Sequence, residues 1–144
     1  MTPALQAGDW LIVRRGAPAS GVAYGAIALA RDASDRLLLK RVIGLPGETV
    51  ELRDGHVHID GRALLEPYAR GETDPSSEFR TLTRLDVGAY YLLGDNRGAS
   101  TDSRDHGAFR AGLEKRSIEG VAVLRYWPPG RLGRLRPAPR TFEE

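Results

Sequence analysis

Residues 26–61, "AIALARDASDRLLLKRVIGLPGETVELRDGHVHIDG", decide how the chain folds. Short apolar runs rich in Ile, Leu and Val alternate with tight polar breaks, the pattern of strands joined by hairpins. The break "DASD" joins the runs 26–31 and 36–44, and Asp54-Gly55 joins 48–54 to 56–61. Asp and Gly tolerate the left-handed backbone that such turns require. Working outward, residues 9–15, 89–94 and 117–127 read as further strands. Residues 16–25, 65–79 and 95–107 read as loops, and the one helix candidate spans Ala111–Lys115. The expectation is an all-β fold, a folded sheet or partly open barrel, carrying one long polar loop.

The chain has 144 residues, enough for one domain with a real core. Its hydrophobic fraction of 41% and charged fraction of 28% are those of an ordinary globular protein. The net charge of +2 is no nucleic-acid footprint, which needs a basic stripe or patch. The absence of cysteine excludes disulfides, thiolate catalysis and cysteine zinc sites. No apolar run is long enough to cross a bilayer as a helix. The arginine-rich stretch "RLGRLRPAPR" (131–140) reads as a solvated basic tail, with an anionic membrane surface as the alternative. The expected organisation is a domain over 1–133 and a basic, polar tail over 134–144.

Lys40 is the anomaly in "LLLKRVIG". Strand alternation puts it on one face with Leu38 and Val42, while Leu39, Arg41 and Ile43 point the other way. An ammonium among apolar side chains loses hydration, which lowers its pKa and suits it to be a general base. The plain reading is a lysine on an edge strand that snorkels to water. A second segment, "GDNRGASTDSRDHG" (94–107), supplies hydroxyls and an Asp102–Arg104 pair able to orient a neighbouring amine.

Taken in order, "GDWLIVRR", "LLLKRVIGLPGETVEL" and "GDNRGASTDSRDHG" resemble the boxes of type I signal peptidases, Ser-Lys proteases that remove signal peptides from exported proteins. The resemblance runs from Met1 to about Gly133, and it implies that family's all-β fold. It assigns Lys40 as general base and Ser100 as the hydroxyl that orients it. It makes Asp102 and Arg104 the pair that steadies the site loop, with Gly94, Asp95 and Asn96 as the turn that brings the loop to the lysine. No cofactor or metal is implied. The implied partners are signal peptides of exported preproteins and a membrane surface, with the catalytic domain on the extracytoplasmic side.

The match breaks at the nucleophile, which in the family is a serine directly before a methionine, in a Ser-Met-x-Pro-x-Leu pattern. Here Met1, Pro3, Leu5, Gly8 and Asp9 fit that pattern, so the serine would precede Met1. The favoured reading is an incomplete chain, inactive as it stands. The others are a non-catalytic peptide-binding relative, and Thr2 as an N-terminal nucleophile. A dedicated maturation protease of the same family and the self-cleaving repressor proteases are further rivals. The latter lack the Gly-Leu-Pro-Gly turn. His56 and His58 read as a surface pair rather than metal ligands, and His106 is given no role. Trp10, Tyr126 and Trp127 read as core or hairpin packing, with a bilayer surface as the alternative.

Overall fold

The computed structural model describes residues 1–18, 20–32, 34–71, 81–99 and 112–144. Its strands are β1 (Trp10–Arg15), β2 (Ile27–Arg31), β3 (Leu37–Gly44), β4 (Thr49–Arg53), β5 (His56–Ile59), β6 (Arg62–Leu65), β7 (Thr81–Arg84), β8 (Ala89–Leu93), β9 (Leu113–Glu114), β10 (Ile118–Trp127), β11 (Gly133–Arg134) and β12 (Thr141–Phe142). Among the described residues there is no α-helix, only short 3-10 turns. The helix candidate at Ala111–Lys115 is corrected: Leu113–Glu114 is a strand pairing with β8, and a 3-10 turn follows at Lys115–Ser117. Its few apolar residues follow no helical period, and Leu113 instead fills the core as a strand residue.

The strands make two antiparallel sheets that do not close into a barrel. One has the order β1-β10-β2-β3-β8-β9, with β11 also paired to β10. The other has the order β12-β6-β5-β4-β7. Both expected hairpins form, β2–β3 and β4–β5. Asp54 and Gly55 both take positive φ, +51° and +78°, as the two central residues of a type I′ turn must. Asp60 and Gly61 repeat the device at +49° and +81° and create the β5–β6 hairpin.

Strand β3 joins the two sheets' cores. Val42, with Leu38 beside it, packs into a cluster with Tyr90, Leu92, Ile118 and Val121. Ile43 belongs to a second cluster with Val50, Val57, Ile59 and Tyr91. Gly44 sits where the two meet. A Cβ there would lie 2.5 Å from Val50 Cγ2 and 2.9 Å from Tyr91 Cβ, so the family-like Gly44 is demanded by close packing.

The segment read as a basic tail is built into the fold. β11 pairs with β10 and β12 with β6, so residues 133–142 run from one sheet to the other. Arg140 forms a two-pronged ion pair with Glu48, at 2.7 and 3.0 Å, and lies over the Tyr24 and Phe142 rings. Arginine in this role buries its stem and pairs its two terminal nitrogens with a carboxylate, which composition alone does not reveal.

Candidate active site

Lys40 stands on an interior strand, since β3 runs between β2 and β8. It is half-buried, opposite the fully buried Ala28. β3 pairs with β2 from Leu37 to Arg41 and with β8 from Arg41 to Gly44, so Lys40 stands just beyond the end of the β8 ladder. The β3–β8 register pairs Arg41 with Leu93 and Val42 with Leu92. Gly94 follows Leu93 and Lys40 precedes Arg41, so the turn begins at the Lys40 end of this ladder.

The turn is held from three directions. Arg41 grips Asp95 through two hydrogen bonds, Nε to Oδ1 at 2.8 Å and Nη2 to Oδ2 at 2.6 Å. Both side chains are buried, at 4% and 1% exposure. Arg41 also donates to the Gly25 carbonyl at 2.8 Å and stacks 4.4 Å from the Tyr68 ring centre. Arg97 makes a second two-pronged pair, with Glu66 at 2.6 and 2.8 Å, and donates to the Gly94 carbonyl at 3.1 Å. The backbone closes the third side: Arg70 N–H donates to the Asp95 carbonyl at 2.7 Å, and Arg97 N–H to the Arg70 carbonyl at 2.8 Å. Asn96 forms a parallel bridge with Arg70.

Two phenols complete this buried network. Tyr24 and Tyr68 share a 2.7 Å hydrogen bond, and Tyr68 donates to Glu66 at 3.0 Å. Burial raises both phenol pKa values, and the Glu66 carboxylate beside Tyr68 raises it further. They stay protonated at neutral pH, so each guanidinium is balanced by one carboxylate. The site reading missed Tyr24, Glu66 and Tyr68, and gave Arg97 no role. Glu66 and Tyr68 lie in what reads as an ordinary polar loop, and only their position across from Gly94–Arg97 distinguishes them.

The N-terminus lies in the same neighbourhood. The Met1 α-amine is lowered below its ordinary pKa, first by burial, then by the charges of Lys40 and Arg41 against the opposing pull of Asp95. The atoms at the Met1 nitrogen are therefore within electrostatic reach of Lys40. Gly94, Asp95 and Asn96 are thus brought beside the lysine strand. Ser100, Asp102 and Arg104, with His106, lie outside the described residues.

Two other expectations are corrected. His58 is buried while His56 is exposed, so they are not a surface pair. Among the described residues no group of His, Cys, Asp and Glu is placed to hold a metal. Trp10, Tyr126 and Trp127 are not core residues. They are 59%, 43% and 50% exposed and pack against one another across β1 and β10, with Trp10 ring centres 5.9 Å from Tyr126 and 6.5 Å from Trp127. A cleft of about 960 Å³ opens beside the other sheet, lined by the Asp54–His56 turn, Leu64–Pro67, Arg97 and Thr141. It borders Glu66 and Arg97, and Lys40 is not among its lining residues.

The family model described as "Signal peptidase, peptidase S26" matches residues 1–127, nearly all of the region just described. The chain belongs to the signal peptidase family. It is 35% identical to signal peptidase I of Leptolyngbya laminosa, over 96% of this chain and 70% of that one. It is 29% identical to signal peptidase I V of Bacillus subtilis, over 84% of this chain and 77% of that one. A probable signal peptidase I-1 of Synechocystis is 38% identical over 67% of this chain, but the match spans only 46% of that longer protein. The crystal structure of a signal peptidase I from Enterococcus faecalis V583 superposes with a TM-score of 0.53 at 30% identity, covering 69% of this chain and 95% of that one.

Proposed function

We propose that this chain carries the general base of a Ser-Lys endopeptidase that removes signal peptides from exported preproteins, and that its nucleophile is a serine joined to the Met1 nitrogen. The observation that carries the reading is the convergence of the Met1 amine, Lys40 and the Asp95 turn. A residue added before Met1 starts at that nitrogen, on the side of the fold where Lys40 and Asp95 act on it. Neutral Lys40 takes the hydroxyl proton as the oxygen attacks the scissile carbonyl, and the ammonium then protonates the leaving amine. Water hydrolyses the acyl-enzyme by the same proton path in reverse. Ser100 orients the amine, and the Asp102–Arg104 pair steadies the loop.

The test is direct. The 144 residues alone should not cleave a preprotein, whereas the chain lengthened upstream with a serine before Met1 should cut it at the signal-peptide junction. Binding of the preprotein without any cleavage by the lengthened chain would reject the reading.

The membrane partner is assigned to the outer face of β1 and β10. Trp10 and Ile12 are exposed on the same face of β1 as Arg14, beside Tyr126, Trp127 and Leu132. Aromatic rings with neighbouring arginines suit the headgroup region of an anionic bilayer. Replacing Trp10 and Trp127 by serine should weaken co-sedimentation with anionic phospholipid vesicles several-fold without lowering the melting temperature. Unchanged sedimentation would exclude this face.

A further inference from the structure

Asp9 ends the N-terminal turn, and its carboxylate is 3% exposed. Its Oδ1 accepts from Arg131 Nη1 at 2.8 Å, and its Oδ2 accepts the Gln6 N–H at 2.9 Å and lies 3.5 Å from Arg125 Nη1. Both guanidiniums then reach further back along the chain. Arg125 Nη1 donates to the Ala4 carbonyl at 2.9 Å, and Arg131 Nη2 to the same oxygen at 3.4 Å. Arg125 Nε also donates to the Arg131 carbonyl oxygen, so the two arginines fix each other. Leu5 N–H donates to the Met1 carbonyl at 2.9 Å, which carries this grip to the first residue.

The other support of this segment is apolar. Leu5 is buried with Ile27 and Ala122, and Met1, Ala4, Leu39 and Leu135 pack around them. Apolar contact is non-directional and fixes where the segment lies but not its register. Charge-assisted hydrogen bonds have defined direction and length, so they set the register.

We propose that Asp9, Arg125 and Arg131 are positioning residues: they fix the register of the N-terminal segment against β3, so that the group joined to the Met1 nitrogen faces Lys40. The assignment rests on Lys40 acting as base on that group. None of the three touches the reacting atoms. A misplacement on the order of 1 Å at reacting atoms lowers rate about 10²-fold, which is what such a clamp prevents.

The first test needs no catalysis. In the 144-residue chain, with Met1 shown to be retained by intact mass, the α-amine is titrated by NMR in Asp9→Asn, Arg131→Ala and Arg131→Lys. The charges that act most on this amine are those of Asp95, Lys40 and Arg41. If the clamp sets its place, both Asp9→Asn and Arg131→Ala release it to water and shift its titration upward, and Arg131→Lys falls between them and the parent. A direct field effect would act oppositely in the two variants, because one loses a negative charge and the other a positive one. An amine that shifts downward or not at all in Asp9→Asn overturns the proposal. If Arg131→Ala does not fold, Asp9→Asn and Arg131→Lys carry the same comparison.

The second test uses the lengthened, serine-bearing chain. Asp9→Asn should lower kcat about 10²-fold with KM nearly unchanged. A raised KM with kcat intact would overturn the positioning role. Should the parent of this pair not cleave at all, the reading of Lys40 fails, while the amine titration still decides the clamp.

Discussion

Replacing Lys40 by methionine in the serine-bearing chain should lower kcat/KM by about three to four orders of magnitude, the usual share of a general base. Methionine keeps the length and apolar character of the lysine stem, and the stem shares its face with Leu38 and the buried Val42. The melting temperature should therefore stay close to that of the parent. Loss of activity with a preserved fold separates chemistry from stability. The parent rate should also rise with pH through one ionisation, because only the neutral amine can take the serine proton. A Lys40→Met enzyme within tenfold of the parent, or a parent rate flat in pH, would remove Lys40 from the mechanism.

The second large effect is on stability. Asp95→Ala strands the Arg41 guanidinium in the interior with, among the described residues, the Gly25 carbonyl and the Tyr68 ring to face it. Removing one partner of a buried pair costs about 3–5 kcal/mol. For a chain of this size that is a fall in melting temperature on the order of 10 °C. Replacing both partners, Arg41→Met with Asp95→Leu, removes the unpaired charge and should recover most of the loss. It should not restore cleavage, because the turn beside Lys40 then lacks its anchor. Chemical denaturation of the parent and the two variants gives the comparison, and an Asp95→Ala loss below about 1 kcal/mol would show that the pair does not hold the turn.

Much of this was legible in one dimension because the signals are local. Asp-Gly at 54–55 announces a turn whose dihedrals only those residues accept comfortably, and the same dipeptide at 60–61 would have announced the β5–β6 hairpin. Alternation along β3 assigns Val42 and Ile43 to opposite cores, and the structure places them so. What escaped has no local signature. β7, β9, β11 and β12 are short and draw their stability from partners elsewhere in the chain. Trp10, Tyr126 and Trp127 read as packing residues because large apolar side chains usually are, yet only their place on the outer face of β1 and β10 determines their exposure.

The candidate site divides along the same line. The ordered boxes around Lys40 and Gly94–Arg97 name the family and propose the base, since residue type and spacing along a strand and turn are properties of the sequence itself. That Lys40 lies on an interior strand, that Arg41 closes on Asp95, and that Glu66 and Tyr68 brace the turn were decided only by tertiary structure. So was the grip of Arg125 and Arg131 on the first nine residues. Ion pairs between residues more than fifty positions apart carry no periodicity, and a charged side chain looks the same in sequence whether it is solvated or buried against its partner. Folding supplies the difference, because only the packed sheets exclude the water that would otherwise satisfy each charge alone.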